Sequence, residues 1–133
     1  MAGDYGSLQV ELVAADRLVW SGEATMVIAR TTEGDVGILP GHAPMLSVII
    51  EGVVDVQTAE GETWVAAVDA GFLSVANNRV SILSEHAEMS HEIDLEKARQ
   101  ELERAQSSGE MNDDAQEAVR RAEARIRAVE RAS

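Results

Sequence analysis

Apolar and polar residues alternate with a period of two near the start of the chain, where Leu8, Val10 and Leu12 are interleaved with Gln9 and Glu11. A half-buried strand has this pattern, because successive side chains leave the pleated backbone on opposite faces. Residues 26–29 are apolar throughout and predict a more deeply buried strand. Runs at 53–56, 64–68, 72–75 and 80–83 continue the series, rich in the β-branched residues that suit a pleated surface. Between the runs stand Ser21-Gly22, Glu33-Gly34, Glu51-Gly52, Glu60-Gly61, Ala70-Gly71 and Asn77-Asn78. Turn signals recurring about every 8–12 residues predict an all-β sandwich or flattened barrel of antiparallel strands. No pattern of helical length interrupts them, which excludes a βαβ architecture.

The final third changes period. Leu95, Ala98, Leu102 and Ala105 are spaced by three, four and three residues, as one stripe of a helix is. Asp94 is placed to cap its start, and Ser107, Ser108 and Gly109 to stop it. A second helix is expected from Asp113 or Asp114, with Asp114 and Glu117 spaced as in a capping box. Its stripe is Ala115, Ala118 with Val119, Ala122, Ile126 and Val129. The prediction is therefore a β-sandwich over residues 5–87 followed by an antiparallel two-helix hairpin over 90–132. Alanine-rich stripes bury little area, and at about 25 cal/mol per Å² they hold weakly. A weakly docked tail is the physical precondition for a conformational switch.

Composition narrows the function. The 133 residues suffice for one well-cored domain with a small appendage, and the absence of cysteine points to a reducing compartment without disulfides. No apolar run approaches the roughly 20 residues that span a bilayer, and the N-terminus lacks a basic leader, so direct membrane insertion is not expected. A formal charge of −13 argues against nucleic acid and against adsorption to anionic lipid. The charge is uneven: residues 1–88 carry thirteen acids and three bases, and residues 89–133 eleven acids and eight bases. An acidic body thus precedes a mixed-charge helical region, consistent with an acidic face matched to a basic partner.

Candidate chemistry is sparse. His42, His86 and His91 form no HExxH pattern, and no metal site is expected. Ser74, Ser81 and Ser84 lack the G-x-S-x-G turn, and Lys97, the only lysine, is in no P-loop. Glu33 and Asp35 flank a glycine, a spacing that belongs to turns more than to acid–base pairs. The chain reads as non-enzymatic.

The most constrained stretch is Gly37-Ile38-Leu39-Pro40-Gly41-His42-Ala43-Pro44, where both prolines of the chain fall. Pro40 fixes its own φ, and Gly41 can take the positive φ that a tight turn after it needs. Preceded by Glu33-Gly34-Asp35, this passage resembles the most recognisable stretch of the F-type ATP synthase epsilon subunit, and the resemblance runs in order along nearly the whole chain. It implies a rotor subunit of the central stalk, non-catalytic, that couples proton-driven rotation of the c-ring to ATP synthesis through gamma. It places the chain at the cytoplasmic face of the cell membrane, held by the complex. By the same resemblance, the Glu33 and Asp35 loop faces the c-ring and His42 lies close to gamma.

Two further sets of residues follow from it. Nucleotide-binding members carry Ile-Asp-x-x-Arg-Ala at the start of the first C-terminal helix, with an acid upstream. Here the stretch is Ile93-Asp94-Leu95-Glu96-Lys97-Ala98, with Glu88 as the upstream acid. Lys97 replaces the arginine and supplies a point charge without the bidentate fork, so regulatory ATP at Glu88, Asp94, Lys97 and Ala98 is weighed against a plain N-capped helix. The resemblance also implies that Arg120, Arg121, Arg125 and Arg127 meet the alpha and beta subunits when the last helix extends and inhibits hydrolysis. Read without the resemblance, these arginines pair with Glu117, Glu123 and Glu130 along their own helix. A second class of function, a free-standing small-ligand-sensing sandwich with a helical reporter hairpin, requires a stable monomer without rotor partners.

Overall fold

The computed structural model describes residues 6–107 and 112–132. Ten strands are seen among them: β1 (Leu8–Ala14), β2 (Leu18–Ala24), β3 (Met26–Thr31), β4 (Gly34–Ile38), β5 (Met45–Ile49), β6 (Gly52–Gln57), β7 (Thr63–Val68), β8 (Gly71–Ala76), β9 (Arg79–Ser84) and β10 (Ala87–Met89). A short 3₁₀ turn (Ser90–Glu92) leads to α1 (Leu95–Gln106) and α2 (Asp113–Ala132).

The strands follow the order β10-β7-β6-β3-β5-β8-β9-β1-β2, with β4 added to β3. The two ends of this series approach each other through β10 and β2, so the sandwich nearly closes into a barrel. All pairings are antiparallel except one: β1 runs parallel to β9, from Gln9 beside Arg79 to Ala14 beside Ser84. That pairing carries the first strand across the molecule. The core it closes over is aliphatic, with Leu8, Val27, Ile38, Ile49, Leu73, Val80 and Ile82 all completely buried.

Four local expectations need correction. Ser21 and Gly22 are not a turn but lie inside β2, opposite Glu11 and Val10. Glycine is tolerated there because the Trp20 ring covers the space a Cβ would enter. No strand is expected within residues 33–44, yet Gly34–Ile38 form β4, paired with β3, and only 39–44 cross to β5. Finally, α2 is capped by Asn112, whose Oδ1 accepts from the Ala115 N–H at 2.8 Å, and not by Asp114. The helix begins at Asp113, so Asn112 holds the N-cap position and Asp114 already lies in the first turn. The fourth correction concerns the α2 stripe. Besides Ala122, the buried positions are Ala124 and Ala128, on a second face of the helix that packs against Val53, Val65 and Ala67 of β6 and β7. Thus α2 lies between the sheet and α1, and α1 packs chiefly on α2.

Other local readings hold. Asp94 caps α1 by accepting from the Lys97 N–H at 3.1 Å. Asn77 and Asn78 both take positive φ, 51° and 61°, as a two-residue hairpin turn requires. In the proline passage Gly41 has φ 87° and the His42 N–H donates to the Leu39 carbonyl at 3.1 Å, closing a turn with proline then glycine at its centre. The α1 stop reaches Ser107, whose N–H donates to the Glu103 carbonyl, while Gly109 lies outside the described residues.

Candidate functional site

Three surfaces gather the residues that the sequence singles out. The first is the β3–β4 hairpin. Thr31, buried, donates its hydroxyl to the Gly34 carbonyl at 2.9 Å and accepts from the Glu33 N–H at 3.1 Å. This knot fixes a turn from which Glu33 and Asp35 project into solvent. His42 is not beside them. It belongs to the connection at the far end of β4, a five-residue strand of roughly 17 Å. Its Nδ1 pairs with the neighbouring Ala43 carbonyl at 2.7 Å. The acids and the histidine are thus two separate features.

The second surface is a cleft of about 410 Å³ between the end of the sandwich and the two helices. Glu88, Asp94, Lys97 and Ala98 all line it, together with His86, Glu92, Glu101, Arg121 and Arg125. Proximity is as the sequence expects; the electrostatics are less favourable to a nucleotide. Glu88 accepts from Arg125 Nε at 2.6 Å, Asp94 is committed to the helix cap, and Ala98 is buried. Four carboxylates face two arginines and a lysine. A polyphosphate would enter against that balance and would have to take Arg125 from Glu88. The donor set fits ATP poorly.

The third surface is where α2 meets the sandwich. Arg120 pairs with Glu51 at 2.8 Å, Arg121 with Asp69 at 3.2 Å, Arg125 with Glu88, and Arg131 with Asp55 at 2.7 Å. Among the described residues, only Arg121 also makes the expected pairing along the helix, to Glu117 at 2.7 Å. Arg127 is exposed. The arginine row is therefore directed at the acidic body of the same chain. Burial pushes the Asp55 carboxyl above its ordinary range, against the pull of Arg131. Burial does the same at Asp69, against Arg125 and Arg121. In the 3₁₀ turn, Glu92 behaves oppositely: Arg17 donates to it at 3.2 Å and, with the Met89 N–H, holds its carboxyl below the usual range. Arg17 also reaches the Ala87 carbonyl, so the 3₁₀ turn is tied to the β1–β2 hairpin.

Sequence reasoning misses one feature altogether. Val48, Phe72 and Leu83 are exposed and adjacent across β5, β8 and β9, since Val48 registers with Phe72 and Phe72 with Leu83. Val13 extends the row onto β1, and Leu46, 74% exposed, adds to it two residues along β5. Gly71 lets these strands approach, because a Cβ there would collide with the Leu83 carbonyl. A contiguous apolar row on an acidic protein marks a contact surface. A signal was present in Met45-Leu46-Ser47-Val48-Ile49, a strand apolar on both faces although one face only meets the core.

No helix among the described residues is long and apolar enough to cross a membrane, and no group of three or more His, Cys, Asp or Glu among them is arranged to hold a metal ion. Residues 7–90 match the family model of the ATP synthase delta/epsilon chain β-sandwich domain. The chain is 56% identical over 122 residues to the ATP synthase epsilon chain of Streptomyces avermitilis, covering 92% of this chain and 94% of that protein. It is 51% identical over 126 residues to the epsilon chain of Rhodococcus jostii, covering 94% and 98%. A chain in the mitochondrial ATP synthase of Euglena gracilis, solved as OSCP, F1 and c-ring, shares the fold with a TM-score of 0.72 at 24% identity, over 94% of this chain and 78% of that one. One in the central stalk and c-ring structure from Tetrahymena thermophila shares it with a TM-score of 0.55 at 14% identity, over 94% and 95%. Sandwich, helical tail and sequence agree, and the chain belongs to the ATP synthase epsilon chain family.

Proposed function

We propose that this chain serves in the central stalk of a proton-driven ATP synthase, at the cytoplasmic face of the membrane, and performs no bond chemistry of its own. The observation that carries the reading is the exposed apolar row of Val48, Phe72 and Leu83, on a sandwich whose family is known. Its most economical partner is the gamma subunit. The Glu33 and Asp35 hairpin, rigid and acidic, is the surface offered to the c-ring, where rim charges set encounter and register more than affinity. Torque from the ring would then reach gamma through a stiff sandwich.

The test is recovery of the tagged chain from gently solubilised membranes of its own source. Co-purification with gamma, the c-ring and the catalytic head, reduced by Phe72→Asp, supports the reading. Recovery of a lone monomer beside an intact synthase overturns it and returns attention to a free-standing sensor.

The tail is assigned a regulatory part. In the docked state Arg120, Arg121 and Arg125 are engaged by the sandwich, so contact with alpha or beta subunits requires α2 to leave. Truncation should follow Glu92, because Met89 is core and Glu92 is tied to Arg17. The truncated subunit should assemble and leave ATP hydrolysis faster than in the complete complex. Unchanged hydrolysis would count against inhibition by the tail.

A further inference from the structure

The four ion pairs under α2 are not alike. Arg120 and Arg125 each donate Nε squarely to a carboxylate, at 2.8 Å to Glu51 and 2.6 Å to Glu88. The other two are incomplete. Asp55 engages Arg131 through Oδ2, but its Oδ1 is buried without a hydrogen-bond partner. Arg121 Nε lies within ion-pair distance of Asp69, yet it too is buried and makes no hydrogen bond.

We propose that Asp55 and Asp69 set the register of α2 on the sandwich while weakening its attachment, so that the tail is held near its release point and neutralising either carboxylate locks it down. The proposal deepens the regulatory role given to the tail above. It concerns docking within one chain, so it can fail while that role survives.

Three observations support it. Both aspartates are nearly buried, with side chains about one-tenth exposed. A buried charge loses hydration that only complete hydrogen bonding returns, and here the bonding is incomplete. The usual objection, that removing one partner strands the other charge, does not apply. The Arg131 side chain is 50% exposed and can turn to water, and Arg121 keeps Glu117. The apolar contact that offsets the cost is small, since α2 presents Ala124 and Ala128 where a stronger clasp would present leucine.

The surrounding charges agree in direction. Asp55 faces Arg131 from α2 and feels Asp35 from β4; Asp69 faces Arg121 and Arg125 from α2, with His86 and Glu51 beside it. At both sites burial outweighs the arginines. The docked state accordingly binds protons at these carboxylates more readily than exposed aspartates would, and mild acid tightens docking through them.

Hydrogen–deuterium exchange of the full chain, read over α2 with the sandwich strands as internal control, tests this. Asp55→Leu and Asp69→Asn should each slow exchange of α2 about three- to tenfold. Glu51→Gln, which breaks a well-formed pair, should speed it. Equal or faster exchange of α2 in both aspartate variants overturns the proposal. If a variant disturbs the sandwich strands, the unaltered chain decides: corrected for intrinsic rates, α2 protection must rise between neutrality and mild acid, and a flat or falling profile overturns it.

Discussion

The sandwich and the tail bury their surfaces in opposite ways. The sandwich closes over leucine, isoleucine and valine that are wholly excluded from water. The tail closes over alanines and charges, with Ala122, Ala124 and Ala128 as its buried residues in α2 and four arginines reaching across to carboxylates. Large aliphatic side chains make a core that unfolds as a unit or not at all. Alanine and ion pairs make an attachment whose strength is small and adjustable. The difference suits the two parts to their proposed tasks, one to transmit force and the other to change position.

The contrast breaks first where a core residue is cut down. Leu73 is fully buried in β8. Leu73→Ala should cost about 2–5 kcal/mol of global stability, through lost transfer energy and the cavity left behind. Denaturant unfolding followed by tryptophan fluorescence and by far-UV circular dichroism should show both signals shifting together. A loss confined to the helical signal would mean that the sandwich is less unitary than its packing implies.

A second substitution should act on the tail alone. Ala128 is completely buried between α2 and the sheet. Ala128→Glu would bury a carboxylate against Val53, Val65 and Ala67, at a nominal cost of several kcal/mol. The tail can escape that cost by undocking, so the measured loss is capped at the docking free energy. Protection of α2 amides should vanish while β8 and β9 keep theirs. Loss of protection in the strands as well would show that the helices belong to the cooperative core.

The hairpin turn between β8 and β9 gives a smaller, sandwich-side test. Asn78 holds φ 61° and its Oδ1 accepts from the Gly41 N–H at 2.7 Å, linking this turn to the proline passage. Asn78→Ala should cost about 1–2 kcal/mol, because a Cβ without a helpful side chain disfavours the left-handed region. The loss should appear in the global unfolding midpoint and leave α2 exchange unchanged.

The two regions also differ in how far the sequence disclosed them. Period-two alternation located β1, apolar runs between turn residues located β3, β6, β7, β8 and β9, and the spacing from Leu95 to Ala105 located α1, because burial leaves a trace in the order of residues. β4 escaped because Gly34-Asp35-Val36-Gly37-Ile38 carries two glycines and an acid, and β3 supplies the pairing that its own residues do not favour. The parallel β1–β9 pair escaped for a related reason: strand direction is a property of the partner. At the candidate sites, proximity around the cleft was legible from spacing and resemblance. The cross-chain arginine pairs were not. Glu51, Asp55, Asp69 and Glu88 are scattered over almost forty residues, and only the sheet brings them under one helix. The apolar row was missed because an exposed apolar residue in a strand looks like a buried one unless both faces of the strand are compared, as Met45–Ile49 allowed.

The finest test of the contrast is one of sign. Glu92, held below the usual glutamate range by Arg17, contributes stability that is present above the unfolded value and lost as pH falls through the folded one. Asp55 and Asp69, raised by burial, contribute stability that is complete below the unfolded aspartate value and lost as pH rises through the folded ones. Acidification from neutrality should therefore first tighten α2 on the sandwich through the aspartates, and only later loosen the 3₁₀ turn through Glu92. Amide exchange across Ser90–Glu92 and across α2, measured at a series of pH values, separates the two. Arg17→Met should weaken the late loosening, leaving the part due to the Met89 N–H, and keep the early tightening intact, since the Arg17 hydrogen bonds go to Ala87 and Glu92. If instead both segments loosened together on the same titration, the junction and the tail would be one element, and release of the tail would begin at β10 and not beyond Glu92.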